Sequence, residues 1–159
     1  MFGVNDDMAL NYQRILVAVN KSAGADSALE KAVAIAKRNH ARLDLLRVID
    51  VNSLQFKAGG QAMINGQQIY EIEQANEEFL FKLQDRLINE EGLDPKQVFV
   101  HLRFGNPKTV ILDDFQPEYH NDLLVLGGTE MSLFKRMMAG SVSSYVPRAA
   151  QCDVLITKK

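Results

Sequence analysis

Three short stretches of this 159-residue chain carry groups suited to gripping a phosphate. Gly127-Gly128-Thr129 follows a wholly apolar run, Leu123-Leu124-Val125-Leu126. Lacking a Cβ, glycine there lets backbone approach a ligand closely and tolerates positive φ. Further along, Gly140-Ser141-Val142-Ser143 reads as a helix opening. The unpaired N–H groups of such an opening form an anion site, to which the Ser141 and Ser143 hydroxyls add donors. Asn20-Lys21-Ser22 closes a second apolar run, Ile15-Leu16-Val17-Ala18-Val19. A glycine exit or a serine cap alone is ordinary structure, so these pieces matter only if the fold gathers them. Neither the Walker pattern G-x-x-x-x-G-K-[ST] nor G-x-G-x-x-G occurs.

Other reactive residue types make no constellation. His40, His101 and His120 are far apart in sequence, with no cysteine pair and no H-E-x-x-H, so a zinc site is not expected. His40 follows a predicted helix end and suits a cap. Asp113-Asp114 falls on a predicted solvated helix face, and Cys152 just ahead of a strand, as a small packing residue. Met131, Met137 and Met138 suit core packing or the cover of a ligand or dimer partner. No base and nucleophile pair stands out, so efficient catalysis is not expected. The net charge of -2 gives no general attraction to nucleic acid or anionic lipid. No run reaches the roughly 18 apolar residues that span a bilayer. Met1 to Gln13 is a polar leader without the charged front and apolar middle of a signal peptide. A lone cysteine forms no internal disulfide, which suits a reducing cytoplasm.

These groups need elements to hold them. Ile15–Val19 is a continuous apolar run of the kind buried on both faces of a parallel sheet. From about Ala25 to Lys37-Arg38, apolar residues recur at helical spacing, with basic residues at the C-terminal end. Leu43–Ile49 reads as a second strand. Residues 52–66, with Gly59-Gly60, read as a flexible loop. A long amphipathic helix follows, with Ile69, Ile72, Phe79, Leu80, Leu83, Leu87 and Ile88 on one side and Gly92 as its stop. Val98–Phe104 alternates, as a half-exposed or edge strand does. Asn106 and Pro107 open a short helix whose apolar face, Val110, Ile111 and Phe115, ends before Pro117. Leu123–Leu126 is a fourth strand; a last helix starts near Gly140 and contains Pro147. Val154–Thr157 is the fifth strand. Strands alternating with helices imply right-handed crossovers and one five-stranded parallel α/β domain, helices on both faces. Ligands of such sheets gather at the strands' carboxyl ends, where the strand order reverses.

The segment Gly127 to Ser143 resembles the phosphate segment of universal stress proteins: glycine, two residues, glycine, nine residues, then glycine and serine or threonine. Ile15–Val19 with Ser22 and Ala28-Leu29 resembles the family's first strand and helix, Leu45–Asp50 its second strand, Gly105-Asn106-Pro107 its third strand exit, and Cys152–Ile156 its closing strand. The resemblance covers roughly Arg14 to Lys158. It implies a flavodoxin-like, doubly wound sandwich of strand order 3-2-1-4-5 that forms a homodimer through its last strand. It also implies ATP, with Mg2+, as the ligand of a stress-response protein. Ala18, Asn20, Ser22 and Val48 would then line the adenine and ribose side. Gly127, Thr129, Gly140, Ser141, Val142 and Ser143 would hold ribose and phosphates. The pattern departs at two positions: Glu130 stands for the second glycine, and Asn20 for the acidic residue that ends strand one. Positive φ at Glu130 would cost on the order of 1–2 kcal/mol. Its carboxylate would repel a phosphate at 4 Å by about 1 kcal/mol in water and about 4 at an effective dielectric of 20. A receiver domain is disfavoured, since its phosphoacceptor position reads Phe104-Gly105-Asn106. A flavodoxin is disfavoured by the absence of Trp and of a hydroxyl-rich first loop. The remaining alternative is a dimeric interaction module that has lost the nucleotide.

Overall fold

The computed structural model describes residues 11–50, 65–128 and 150–158. The elements are β1 (Arg14–Ala18), α1 (Ala23–Asn39), β2 (Arg42–Ile49), α2 (Gly66–Asn89), β3 (Val98–Phe104), a π-helical stretch (Thr109–Phe115) running into α3 (Gln116–Tyr119), β4 (Leu123–Gly127) and β5 (Asp153–Thr157). The strands form one all-parallel sheet in the order β3-β2-β1-β4-β5, as expected from the sequence. Two apolar layers sandwich it. Ile15, Val17, Leu43, Leu45 and Val125 point to one face, under α1 and α2. Leu16, Leu46, Leu124 and Leu126 point to the other, under Val110, Ile111 and Phe115. The period-two alternation of side chains along each buried strand feeds both layers.

Local sequence sets the helix ends. The Ser22 hydroxyl accepts the Ala25 N–H at 3.1 Å and starts α1. His40, at φ 53°, ends it, and the Ala41 N–H returns to the Ala36 carbonyl at 3.0 Å. α2 starts earlier than expected. Asn65 and Gly66, read as loop, are its cap and first residue, because Asn65 Oδ1 accepts the Gln68 N–H at 2.8 Å while Gln68 Oε1 accepts the Asn65 N–H at 3.0 Å. Beyond the helix, Gly92 at φ 80° turns the chain so that Leu93 enters the core. Asn106 Oδ1 accepts the Lys108 and Thr109 N–H groups, as a cap should. Pro117 does not end the following helix, contrary to expectation; the chain winds on to Tyr119. The ladder has already widened to five-residue spacing, with the Gln116 N–H on the Ile111 carbonyl, which moves the carbonyl that a proline ring would strike. Pro147 and the last predicted helix lie outside the described residues.

One carboxylate lies inside the sheet. Asp44 of β2 has no exposure; it accepts from Arg42 at 3.0 Å, from His101 Nε2 at 2.8 Å and from Asn121 Nδ2 at 3.1 Å. Burial alone would raise its pKa, but the hydrogen bonds from His101, Arg42 and Asn121 outweigh that and hold it below the usual carboxylate value. Arg42 stacks over Phe99, 3.8 Å from the ring centre, and His101 meets Phe115 edge to face.

Candidate functional site

Strand order reverses between β1 and β4, which run side by side with Val17 level with Val125. The carboxyl ends of these two strands therefore border a crevice. On the β1 side the chain leaves through Asn20, whose Oδ1 accepts the Ser22 N–H at 2.7 Å in a tight side-chain turn. That turn points α1 so that its N-terminus, with the positive end of its dipole, opens at the rim beside the exposed Lys21. The Ser22 hydroxyl is engaged as the acceptor that caps α1. On the β4 side, Gly127 is buried, level with Thr157 of β5, and Gly128 follows at the rim.

The β2 wall follows from strand alternation. The Leu46 carbonyl accepts the Val19 N–H at 2.9 Å. Two residues on, Val48 turns its backbone the same way, but β1 has ended, so its N–H and C=O face the crevice. The Val48 carbonyl accepts a 2.7 Å hydrogen bond from the Arg47 guanidinium, whose Nε also donates to Asn76 of α2 at 3.1 Å. Burial lowers the Arg47 pKa. The structure thus gathers Ala18, Asn20, Ser22, Val48 and Gly127 on one carboxyl-end rim. Thr129, Gly140, Ser141, Val142 and Ser143 lie outside the described residues, as do Glu130, Met131, Met137 and Met138. A surface groove runs along α2, lined by none of these rim residues.

The sequence reading missed Arg47 and Asn76, which hold the Val48 carbonyl. The one available signal was a cation between apolar neighbours, Leu45-Leu46 and Val48-Ile49, near the end of β2. Among the described residues no group of three or more His, Cys, Asp or Glu side chains is placed to hold a metal ion. His40 and His120 both serve as left-handed helix caps. Asp113 and Asp114 are exposed. Cys152 packs against the second apolar layer, where burial pushes its thiol up to about 11 and leaves it unreactive at neutral pH. No helix among the described residues is long and apolar enough to cross a membrane.

The family model described as the universal stress protein family matches residues 11–158. A protein of Staphylococcus haemolyticus (strain JCSC1435) that carries the universal stress protein name is 32% identical over 149 residues, covering 94% of this chain and 86% of its own. The solved structure of the universal stress protein UspA from Lactobacillus plantarum is similar at 26% identity and TM-score 0.63, over 92% of this chain and 98% of that one. The universal stress protein from Archaeoglobus fulgidus, solved in complex with dAMP, shares the fold at 24% identity and TM-score 0.57, over 91% of this chain and 97% of its own.

Proposed function

This chain belongs to the universal stress protein family, and from that premise we propose that it binds an adenine nucleotide, ATP with Mg2+, in the crevice between β1 and β4. The observation that carries this reading is the reversal of strand order between β1 and β4, which sets the Asn20 turn and the Gly127 exit on one carboxyl-end rim beside Val48. An adenine edge offers one donor and one acceptor side by side; the Val48 N–H suits the acceptor, and the Val48 carbonyl keeps one lone pair for the donor beside its bond from Arg47. Ala18 and Val48 supply the apolar wall, and Asn20 faces the ribose. Gly127, Thr129 and the helix opening Gly140-Ser141-Val142-Ser143 take the phosphates, with donors aimed at an anion. Support comes from a fold shared with a protein that holds dAMP and from the glycine-serine spacing. The protein acts as a cytoplasmic stress-response switch that holds the nucleotide without efficient turnover, and pairs with a second copy through β5.

Calorimetry with ATP and Mg2+ tests the reading. Binding is expected to be saturable, and Glu130→Gly to tighten it about tenfold by removing strain and repulsion together. Gly140→Leu is expected to weaken it by blocking close backbone approach. Failure of both wild type and Glu130→Gly to bind at millimolar ATP would overturn the nucleotide reading and favour an interaction module instead.

A further inference from the structure

α2 has two working faces. One packs on the sheet, with Leu80 and Leu87 buried and Phe79 and Leu83 against the same layer. The outer face is not the uniformly polar surface that a solvated helix presents. Of the four large hydrophobic residues exposed among the described residues, two belong to it: Tyr70 (56% exposed) and Phe81 (57% exposed). Tyr70, Gln74, Glu77 and Phe81 line one shallow groove along this face and succeed one another by steps of four, three and four; at its end Gln84 turns to the Val98 carbonyl and Ile88 reaches the sheet layer. That is the spacing of a coiled-coil seam. A row of acids, Glu71, Glu78 and Asp85, follows the seam at intervals of seven. Lys82, the one cation beside the groove, is already paired with Glu78 at 3.0 Å.

We propose that this outer stripe of α2 docks an amphipathic helix of another protein, one that presents apolar residues at coiled-coil spacing flanked by a row of Lys or Arg. The apolar part of the argument is ordinary: two exposed aromatics on a rigid helix are the kind of anchor that dominates helix-in-groove binding. Charge selects the partner. A second copy of this chain would set Glu71, Glu78 and Asp85 against the same acids, and like charges across a seam are destabilising. Nucleic acid and anionic lipid are repelled by the same row. A basic helix satisfies seam and flank together. This surface is separate from the β1–β4 crevice, so the proposal stands whether or not the nucleotide reading does.

The test uses the full chain and a fluorescent synthetic helix of about three heptads, with Leu along its seam and Lys along its flanks. A control peptide carries Glu in place of Lys. Fluorescence anisotropy is expected to show saturable binding of the Lys peptide, at least about tenfold tighter than the Glu peptide. Raising salt from about 0.05 to about 0.5 M should weaken it. Phe81→Glu is expected to cost about tenfold or more in affinity. The triple change Glu71→Lys, Glu78→Lys, Asp85→Lys should reverse the preference, so that the Glu peptide binds better. All four positions are exposed, and circular dichroism melts verify that the variants fold. No saturable binding, no preference between peptides, or binding unchanged by Phe81→Glu overturns the proposal. So does sedimentation showing self-association that Phe81→Glu abolishes, since the face would then belong to a second copy.

Discussion

Asp44 shows how one residue can be conspicuous in a sequence while its meaning stays hidden. Its position inside Leu43-Asp44-Leu45-Leu46 marks an anomaly, because a charge in a strand covered on both faces must be paired. Its partners His101 and Asn121 are brought in from another strand and another loop, and no local pattern names them. Replacing Asp44 by Asn is expected to destabilise the fold by about 3 kcal/mol, since it leaves Arg42 without its counter-charge and disturbs the hydrogen bond to His101. Urea unfolding at neutral pH measures that. The folded carboxyl pKa lies below the unfolded value, so the stability it supplies is fully present above about pH 4 and fades as pH falls through the folded pKa. The gap between wild type and Asp44→Asn should therefore close in acid; a gap that stays constant down to strong acid would show that the charge contributes nothing. The candidate site was legible to a different degree. Asn20 and Gly127 could be placed because each lies at a strand exit, and strand exits are visible in sequence, whereas Val48 came from the family resemblance. The Arg47 bond to Val48 could not, because it depends on which way a single peptide unit faces.

At the scale of elements, continuous apolar runs located β1 and β4 closely, an apolar-rich stretch located β2, and alternation located β3. The errors came where a helix starts or stops on side-chain chemistry. Gly66 reads as a breaker, yet the reciprocal bonds of Asn65 and Gln68 make it the first residue of α2. Asn65→Ala is expected to cost about 1 kcal/mol, because it orphans a backbone donor at the helix start. Equilibrium unfolding tests this, and no change in midpoint would mean that the turn holds without its cap. Pro117 misled in the opposite sense: the rule that proline stops a helix assumes α geometry, and the π-helical stretch before it removes that assumption. Gly105 is different again. At φ 150°, with Val110 Cγ2 3.1 Å from where a Cβ would sit, it admits no side chain without local movement.

For the whole molecule, a parallel sheet with helices on both faces was readable because right-handed crossovers leave few ways to arrange alternating strands and helices, while the strand order came from the family resemblance. Assembly was not readable in that way, since it depends on which backbone edges stay open. Pairing through β5 rests on its position at the sheet margin and on Ile156, 41% exposed there. Ile156→Lys is expected to shift a dimer toward monomer in sedimentation experiments, and a wild-type monomer at micromolar concentration would overturn the pairing. The opposite margin differs in kind. In β3 the Gln97 carbonyl and Gly105 N–H face β2, so Val98 and Leu102 face outward; their carbonyls accept from the side chains of Gln84 and Arg103 at 2.9 and 3.0 Å. Expressed as polymer chemistry, β5 is the proposed growing end, and β3 is an end with two of its acceptor sites already occupied. A building block with two open ends would add copies head to tail without limit and grow a fibre. Every acceptor occupied along β3 lowers the yield of that open-ended growth, and so favours the closed pair proposed through β5.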